Sequence, residues 1–163
     1  MSNLDFFNTV LGTEGYYCLV ALKNGRPKQY LLTDLEELNT KAFELSNAKH
    51  DVYFGTAKFL EDTDRTAKNA KWFKSFKLDL DCGAGKPYNT QKDALQALQA
   101  FINKLDLPKP TLVNSGRGVH VYWPLVETIS YNEWKPVADS LAALCITNGL
   151  EVDTSVTADA ARI

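Results

Sequence analysis

The chain has 163 residues, of which 45% are hydrophobic and 23% charged, a composition typical of one globular domain that excludes disorder, collagen and coiled coil. Eighteen Lys and Arg residues against twenty Asp and Glu residues give a formal charge of −2, less basic than expected for a protein that coats duplex DNA. No apolar stretch approaches the ~20 residues of a membrane span, there is no secretion signal, and the three cysteines are widely spaced. We therefore expect a cytoplasmic protein.

The first residues predict a helix followed by a β-hairpin. A short helix is expected over residues 5–11. Asn24-Gly25 is typical of a two-residue hairpin turn, here between strands over 16–22 and 29–32. The second strand is expected to start late, because Pro27 has no N–H to donate to a neighbouring strand.

A helix, a strand and a basic segment follow the hairpin. Thr33 and Glu36 form a capping-box pattern that predicts a helix, and residues 51–58 are rich in strand-forming residues. Residues 65–77 carry five basic side chains and no acid, and we expect a loop or short helix there. The five are Arg65, Lys68, Lys71, Lys74 and Lys77.

The second half predicts a split βαβ arrangement. Residues 76–82 alternate apolar and polar, as a half-buried strand does. The elements expected next are a helix capped by Thr90, strands over 111–114 and 119–123, a helix opened by Ser130 and Glu133 and ended by Gly149, and a strand over 151–153. Pro136 fits that helix only if it begins later and places the proline in its first turn. On the last helix, Trp134, Val137, Leu141, Leu144 and Cys145 are expected to point inward. This order predicts an α+β or α/β fold with a mixed sheet.

Asp79 and Asp81 are the first candidates for chemistry. They lie two residues apart on a predicted strand, so their side chains share a face, roughly 7 Å apart. The repulsion between two close carboxylates is relieved by a cation or a shared proton, and a pair of divalent metals suits phosphoryl transfer. Two solvated acids on an exposed face explain the same pattern equally well.

The segment from Ser115 to His120 is the second candidate. Gly116 and Gly118 permit a tight turn whose backbone amides approach an anion, while Ser115 and Arg117 add a hydroxyl and a guanidinium suited to phosphate oxygens. His120 follows on the strand and can bind a phosphate through its imidazole. An ordinary hairpin turn with a hydrogen-bonded histidine is the structural alternative.

Asp153 is the third candidate. Two divalent ions need several anionic ligands, and this acid could supplement Asp79 and Asp81. Taken alone, Asp153 is better explained as an acid that ends a strand or caps a helix.

Together these motifs resemble the archaeo-eukaryotic primase superfamily, in particular the primase-polymerase domains of phage and plasmid replication proteins. The resemblance rests on Tyr53-Phe54-Gly55, Leu78-Asp79-Leu80-Asp81, Pro110 to Val113 running into Ser115 to Trp123, and Asp153 to Arg162. It implies an RNA-recognition-like sheet with a small accessory α/β module. We accordingly expect one catalytic domain over residues 1–163, with an accessory submodule over 1–50 and a catalytic core over 51–163.

The resemblance also implies an activity and its site residues. The activity is that of a DNA-directed nucleotidyltransferase that synthesises or extends primers on single-stranded DNA from nucleoside triphosphates. Asp79, Asp81 and Asp153 would hold two Mg²⁺ or Mn²⁺ ions. The triphosphate would be bound by Ser115, Gly116, Arg117, Gly118, His120 and Arg162, and Arg65 and Lys68 would lie near the template.

The family pattern normally continues past the Arg-Ile that ends this chain, so we expect a fragment of a longer replication protein carrying a helicase or helical priming domain. A phage-encoded member would act in the host cytoplasm. Two other functions use the same residues: a non-catalytic nucleic-acid-binding module of a replication initiator, and a metal-dependent nuclease.

Overall fold

The computed structural model describes residues 2–163. Its elements are α1 (Asn3–Val10), β1 (Tyr17–Lys23), β2 (Arg26–Leu32), α2 (Leu35–Asn47), β3 (Asp51–Phe54), β4 (Ala57–Phe59), β5 (Ala70–Asp81), α3 (Gln91–Leu105), β6 (Thr111–Asn114), β7 (Gly118–Ser130), α4 (Tyr131–Thr147) and α5 (Thr154–Thr157). Within the described residues, no helix combines the length and the apolar character of a membrane span.

The chain divides into two compact units, each built from separate stretches of sequence. The first unit contains the chain up to Lys74 together with Leu125–Tyr131 and Ala160–Ile163, and the second contains Ser75–Pro124 and Asn132–Asp159. The expected functional division near residue 50, into accessory and catalytic submodules, stays a prediction.

The first unit holds a three-stranded antiparallel sheet with the order β2-β1-β3. The predicted hairpin is confirmed, with Asn24 and Gly25 in the left-handed region at φ 52° and 74°. The expected late start of the second strand is wrong, because β2 begins at Arg26 and Pro27 pairs with Leu22. Since β2 is an edge strand, the missing N–H of a proline is tolerated there.

Helix starts in this unit are set by side-chain caps. Ser2 and Asp5 form a capping box at the start of α1. The cap of α2 is Asp34, one residue beyond the predicted Thr33, and its carboxylate accepts the backbone N–H of Glu37. An aspartate caps at least as well as a threonine, so the neighbouring acid takes the position.

The expectation of a loop over the basic segment is confirmed for residues 65–69 but wrong from Ala70 onward, where a strand begins. Residues 51–58 form β3 and the start of β4, which belong to different sheets. The strand predicted over 76–82 begins at Ala70, so Lys71, Lys74 and Lys77 lie on β5. The aromatic residues between these lysines favour a strand, and a lysine can direct its ammonium to solvent from one.

The second sheet has the strand order β4-β5-β7-β6, and both sheets are antiparallel. The α+β fold class with an RNA-recognition-like arrangement is confirmed, whereas the expected mixed sheet is wrong, because both sheets are antiparallel. The core of the second unit is a cluster of buried side chains from β5, β7 and the helices after them. Its members include Leu78, Leu80, Ala94, Leu98, Phe101, Val119, Val121, Trp123 and Cys145. Removing each large apolar side chain from water contributes about 1.5–3 kcal/mol, so this cluster fixes the strands that carry the candidate site.

Helix α4 begins at Tyr131, next to the predicted opening at Ser130, so the alternative of a later start is wrong and Pro136 lies inside the helix. The predicted inward stripe is correct for Trp134 and Cys145 but wrong for Val137 and Leu144, which are exposed. The third fully buried residue on this helix is Ala138, four residues after Trp134. In the sequence, a small alanine indicates a buried position less clearly than a valine or a leucine does.

Lys58 is a buried cation in the first unit. Its side chain is fully buried on β4, its Nζ lies over the ring of Tyr17, and it has no hydrogen-bond partner among the described residues. Burial lowers the pKa of Lys58 to about 7, against a smaller opposing effect from Glu14.

We predict that Lys58 makes stability depend on pH. Between pH 7 and 10.5 the unfolded chain binds more protons at this lysine than the folded protein does, so stability rises with pH across that window. Lys58→Met should stabilise the protein at pH 7 by about 1–3 kcal/mol, and this advantage should shrink by roughly 1 kcal/mol per pH unit above it.

Urea unfolding at several pH values measures both effects. Lys28→Met is the matched control, because Lys28 also lies over a tyrosine ring, that of Tyr30, but is exposed. Parallel pH curves for the wild type and Lys58→Met would contradict the prediction.

Candidate functional site

The two acids of β5 lie on one face of the second unit's sheet. Leu78 and Leu80 are buried in the core, and Asp79 and Asp81 alternate with them, with side chains 29% and 42% exposed. This confirms the predicted alternation. Lys77, which was expected to face outward with the acids, is buried.

Asp153 lies next to Asp79, but not at the end of a strand. The predicted strand over 151–153 is absent, and Asp153 caps the short helix α5, its carboxylate accepting hydrogen bonds from the backbone N–H and hydroxyl of Ser155. Its own backbone N–H donates to the carbonyl oxygen of Asp79 at 3.2 Å. The structural and the functional interpretations of Asp153 are therefore compatible.

His120 faces the acids from β7. Its Nε2 lies 3.7 Å from Oδ1 of Asp79, and its ring is 38% exposed. Val119 and Val121 point to the core on the other side of the strand, as predicted. The sheet thus brings His120 beside Asp79, whose charge also interacts with those of Asp81 and Asp153.

The electrostatics of Asp79 reflect this crowding. Burial raises the pKa of Asp79 above its ordinary value, and the carboxylates of Asp81 and Asp153 raise it further. The nearby His120 and Lys77 act in the opposite direction and lower it. The negative charge of Asp79 is consequently disfavoured without an added cation.

The turn between β6 and β7 is held by amide side chains. Gly116 has φ 86°, and its N–H donates to Oδ1 of Asn114 at 2.8 Å. The Nε2 of Gln91, the first residue of α3, donates to the same Asn114 oxygen at 2.8 Å and to the carbonyl of Gly118 at 3.0 Å. The N–H of Ser115 donates to the carbonyl of Gly118, so a backbone hydrogen bond also closes the turn.

Gly118 is required for a close approach between strands. A Cβ at this position would overlap with the carbonyl oxygen of Leu80 on β5, and the N–H of Cys82 donates to the carbonyl of Arg117 at 2.9 Å. Gly116 has the left-handed conformation expected of the turn glycines, whereas Gly118 serves to bring β7 against β5.

The groups that the turn offers to solvent are side chains. Ser115 and Arg117 are exposed, while the amides of Ser115 and Gly116 donate within the turn. The hydroxyl and the guanidinium are thus the groups best placed to meet an anion.

Three further residues contribute to the site without having been predicted, and they lie between the end of β5 and the first turn of α3. Nζ of Lys86 pairs with Oδ2 of Asp81 at 2.7 Å. The hydroxyl of Tyr88 accepts the N–H of Glu151 at 3.0 Å, two residues before Asp153. Gln91 holds the turn. A lysine in a glycine-rich turn directly after paired acids was a usable signal for Lys86, whereas the other two contacts have no local signature.

The remaining predicted residues lie in the first unit. Arg65 is half-buried and donates to the carbonyl oxygen of Ala161, Lys68 is exposed, and Arg162 is exposed. Arg65 therefore fixes the segment that precedes Arg162.

The three carboxylates are chemically suited to bind a divalent cation, but they are not arranged as a preformed metal site. Carboxylate oxygens are the ligands that Mg²⁺ prefers. Asp81 and Asp153 raise the pKa of Asp79, as expected for clustered carboxylates whose repulsion a cation would relieve. Across residues 2–163, however, no three acidic, histidine or cysteine side chains stand in the arrangement of a metal site. Each acid instead has a partner: His120 for Asp79, Lys86 for Asp81 and Ser155 for Asp153.

Comparison with known proteins bears on the fold. No protein-family model matches the sequence, and no curated protein does. Among solved structures, the archaeo-eukaryotic primase domain of the cyanophage S-2L primase-polymerase matches with a TM-score of 0.63 and 15% identity, over 91% of this chain and 70% of that one. The chain has an archaeo-eukaryotic primase fold. The resemblance drawn from the motifs is confirmed at the level of the fold.

We predict that Gln91→Ala loosens the turn without affecting the rest of the protein. A hydrogen bond contributes about 0.5–1.5 kcal/mol, so amide hydrogen exchange at Ser115 and Gly116 should become about two- to tenfold faster. Gln99→Ala is the matched control, because Gln99 lies on the same helix and also donates to an asparagine, Asn103. Unchanged exchange at the turn in Gln91→Ala would show that Gln91 does not hold it.

Proposed function

We propose that this chain is the catalytic domain of a DNA-directed nucleotidyltransferase that synthesises or extends primers on single-stranded DNA. The observation that supports this most is the crowding of Asp79 by Asp81, Asp153 and His120 in an archaeo-eukaryotic primase fold. The matched cyanophage domain belongs to a primase-polymerase by its title. Ribonucleoside and deoxyribonucleoside triphosphates are both candidate substrates.

In this proposal the three acids hold Mg²⁺ or Mn²⁺. Two such ions supply activation of a hydroxyl nucleophile and neutralisation of the charge on the leaving pyrophosphate. Asp79 contributes a partly buried carboxylate whose charge burial disfavours, and Asp81 contributes one that is open to solvent. One carboxylate oxygen of Asp153 accepts the backbone N–H of Ser155 at the start of α5, and this hydrogen bond orients the carboxylate.

His120 and the turn would bind the triphosphate. His120 stands beside Asp79 with its ring partly open to solvent, so its N–H can donate to a phosphate oxygen near the ions. Ser115 and Arg117 extend the same surface with a hydroxyl and a bidentate donor suited to phosphate.

We further propose that the basic residues of the first unit contribute to nucleic-acid and nucleotide binding. Lys68 and Arg162 are exposed and suit phosphate contacts, whereas the guanidinium of Arg65 already donates to Ala161. The modest net charge fits a short single-stranded template held through few contacts. A helicase or helical priming domain is the partner expected in a longer protein.

We predict that Asp79→Asn and Asp81→Asn each reduce metal-dependent nucleotide incorporation by about a hundredfold or more, because a ligand charge is removed while the side-chain shape stays. Asp106→Asn is the control, since Asp106 is exposed and its left-handed conformation suits asparagine. Extension of a labelled primer on a single-stranded template measures the effect. Near-wild-type synthesis by either site variant would refute the site assignment.

The same gel tests the nuclease alternative. With metal and no nucleotide, a nuclease shortens the labelled primer, whereas a nucleotidyltransferase leaves it intact and lengthens it when nucleotides are added. The carboxylates suit both activities, but the exposed hydroxyl and guanidinium of the turn favour a triphosphate substrate.

One observation favours a non-catalytic nucleic-acid-binding module: each of the three acids already has a partner. Binding of a nucleoside triphosphate measured with and without Mn²⁺ separates the two functions. A catalytic domain binds the nucleotide more tightly with the metal, whereas a DNA-binding module shows no such coupling.

We predict that His120→Ala weakens nucleoside triphosphate binding by about ten- to a hundredfold, the contribution of a hydrogen bond to a charged group. His50→Ala serves as the control, because His50 lies in the first unit beside the carbonyl of Leu45. Fluorescence titration with a labelled nucleotide measures the affinity. An affinity equal to that of the control would remove His120 from the nucleotide site.

A further inference from the structure

We propose that Lys86 is a built-in counterion of the acid cluster, which occupies Asp81 while no metal is bound and has to leave it when a divalent cation binds. Lys86 thereby lowers the affinity of the site for that cation. This inference rests on the proposed function of the same three acids and adds to it a residue that sets how readily they take up metal.

The contact geometry singles out Lys86. Its Nζ lies 2.7 Å from Oδ2 of Asp81, within hydrogen-bond distance, whereas His120 stays 3.7 Å from Asp79. The same ammonium is also close enough to Asp79 and Asp153 to interact with their charges. The ammonium thus pairs with Asp81 and interacts with the other two acids only at longer range.

The position of Lys86 allows it to withdraw. Its side chain is 49% exposed, so leaving Asp81 moves it into water without opening the core. It follows Gly83 and Gly85, which have φ 121° and 74° and open space where a side chain would begin. Glycine adopts these conformations at little cost, and no side chain at either position crowds the turn that carries Lys86.

The neighbouring structure can stay fixed while Lys86 moves. The N–H of Gly83 donates to the carbonyl of Tyr88, and the Tyr88 hydroxyl accepts the N–H of Glu151. Neither of these hydrogen bonds involves the side chain of Lys86. Withdrawal of the ammonium therefore leaves the segment that carries Asp153 in place.

The ammonium of Lys86 and a divalent cation compete for Asp81 because both are positively charged. A divalent ion and an ammonium both require the oxygens of Asp81, and two cations a few ångströms apart repel each other. An exposed ion pair is a weak competitor, so removing it should tighten cation binding by about two- to fivefold.

The test measures Mn²⁺ binding to the whole chain without nucleotide, by the electron paramagnetic resonance signal of free Mn²⁺. Lys86→Met removes the charge and keeps the length of the side chain, and should bind Mn²⁺ about two- to fivefold more tightly than the wild type. Lys86→Arg retains the charge and should bind as the wild type does. Lys92→Met removes an exposed charge from α3, and should also leave the affinity unchanged.

The outcomes separate the two proposals. If the wild type binds Mn²⁺ and Asp81→Asn weakens this binding, but Lys86→Met binds no more tightly than Lys92→Met, Lys86 is not a competing counterion and the proposed function stands. Weaker binding by Lys86→Met also overturns the inference, since Lys86 would then be orienting Asp81. If no variant binds Mn²⁺ at millimolar concentration, both proposals fail. Circular dichroism melts confirm that each variant is folded.

Discussion

The close approach of β7 to β5 at Gly118 is the constraint on which the candidate site depends. A side chain at this position would collide with the Leu80 carbonyl, so only glycine lets the two strands lie this close. The approach sets His120 beside Asp79. The core beneath, including Leu78 and Val121, then fixes the spacing, because close-packed side chains allow little sliding of one strand past another.

Local signals made much of the second unit predictable. The capping box at Thr90 and the apolar stripe after it identify α3, and the strand over 111–114 has the predicted bounds. The elements that differ from the prediction are those whose structure depends on more than local sequence patterns. The expected last strand is replaced by a cap, because Asp153 uses its side chain on α5 while its backbone bonds to β5. The basic segment 70–77 is a strand because its aromatic residues outweigh its lysines.

The chemistry of the candidate site could be predicted from residue types, but the way its charges are compensated could not. Paired acids predict repulsion, and burial of Asp79 beside Asp81 and Asp153 is consistent with that expectation. The partners that relieve the repulsion come from positions with no periodic relation to the acids. Lys86 pairs with Asp81 from a glycine-rich turn directly after the acids, which is the one local signal that the sequence offers. The contact by which Gln91 holds the neighbouring turn joins residues 23 positions apart and arises only when the chain has folded.

The backbone contacts around Asp153 have a consequence for sequence variation. Main-chain donors hold this acid near β5: its own N–H bonds to Asp79, and the N–H of Glu151 bonds to Tyr88. Every residue except proline supplies such a donor. The exposed side chain at position 151 is therefore free to diverge among homologues while the third carboxylate keeps its place, and proline is the substitution that selection should exclude there.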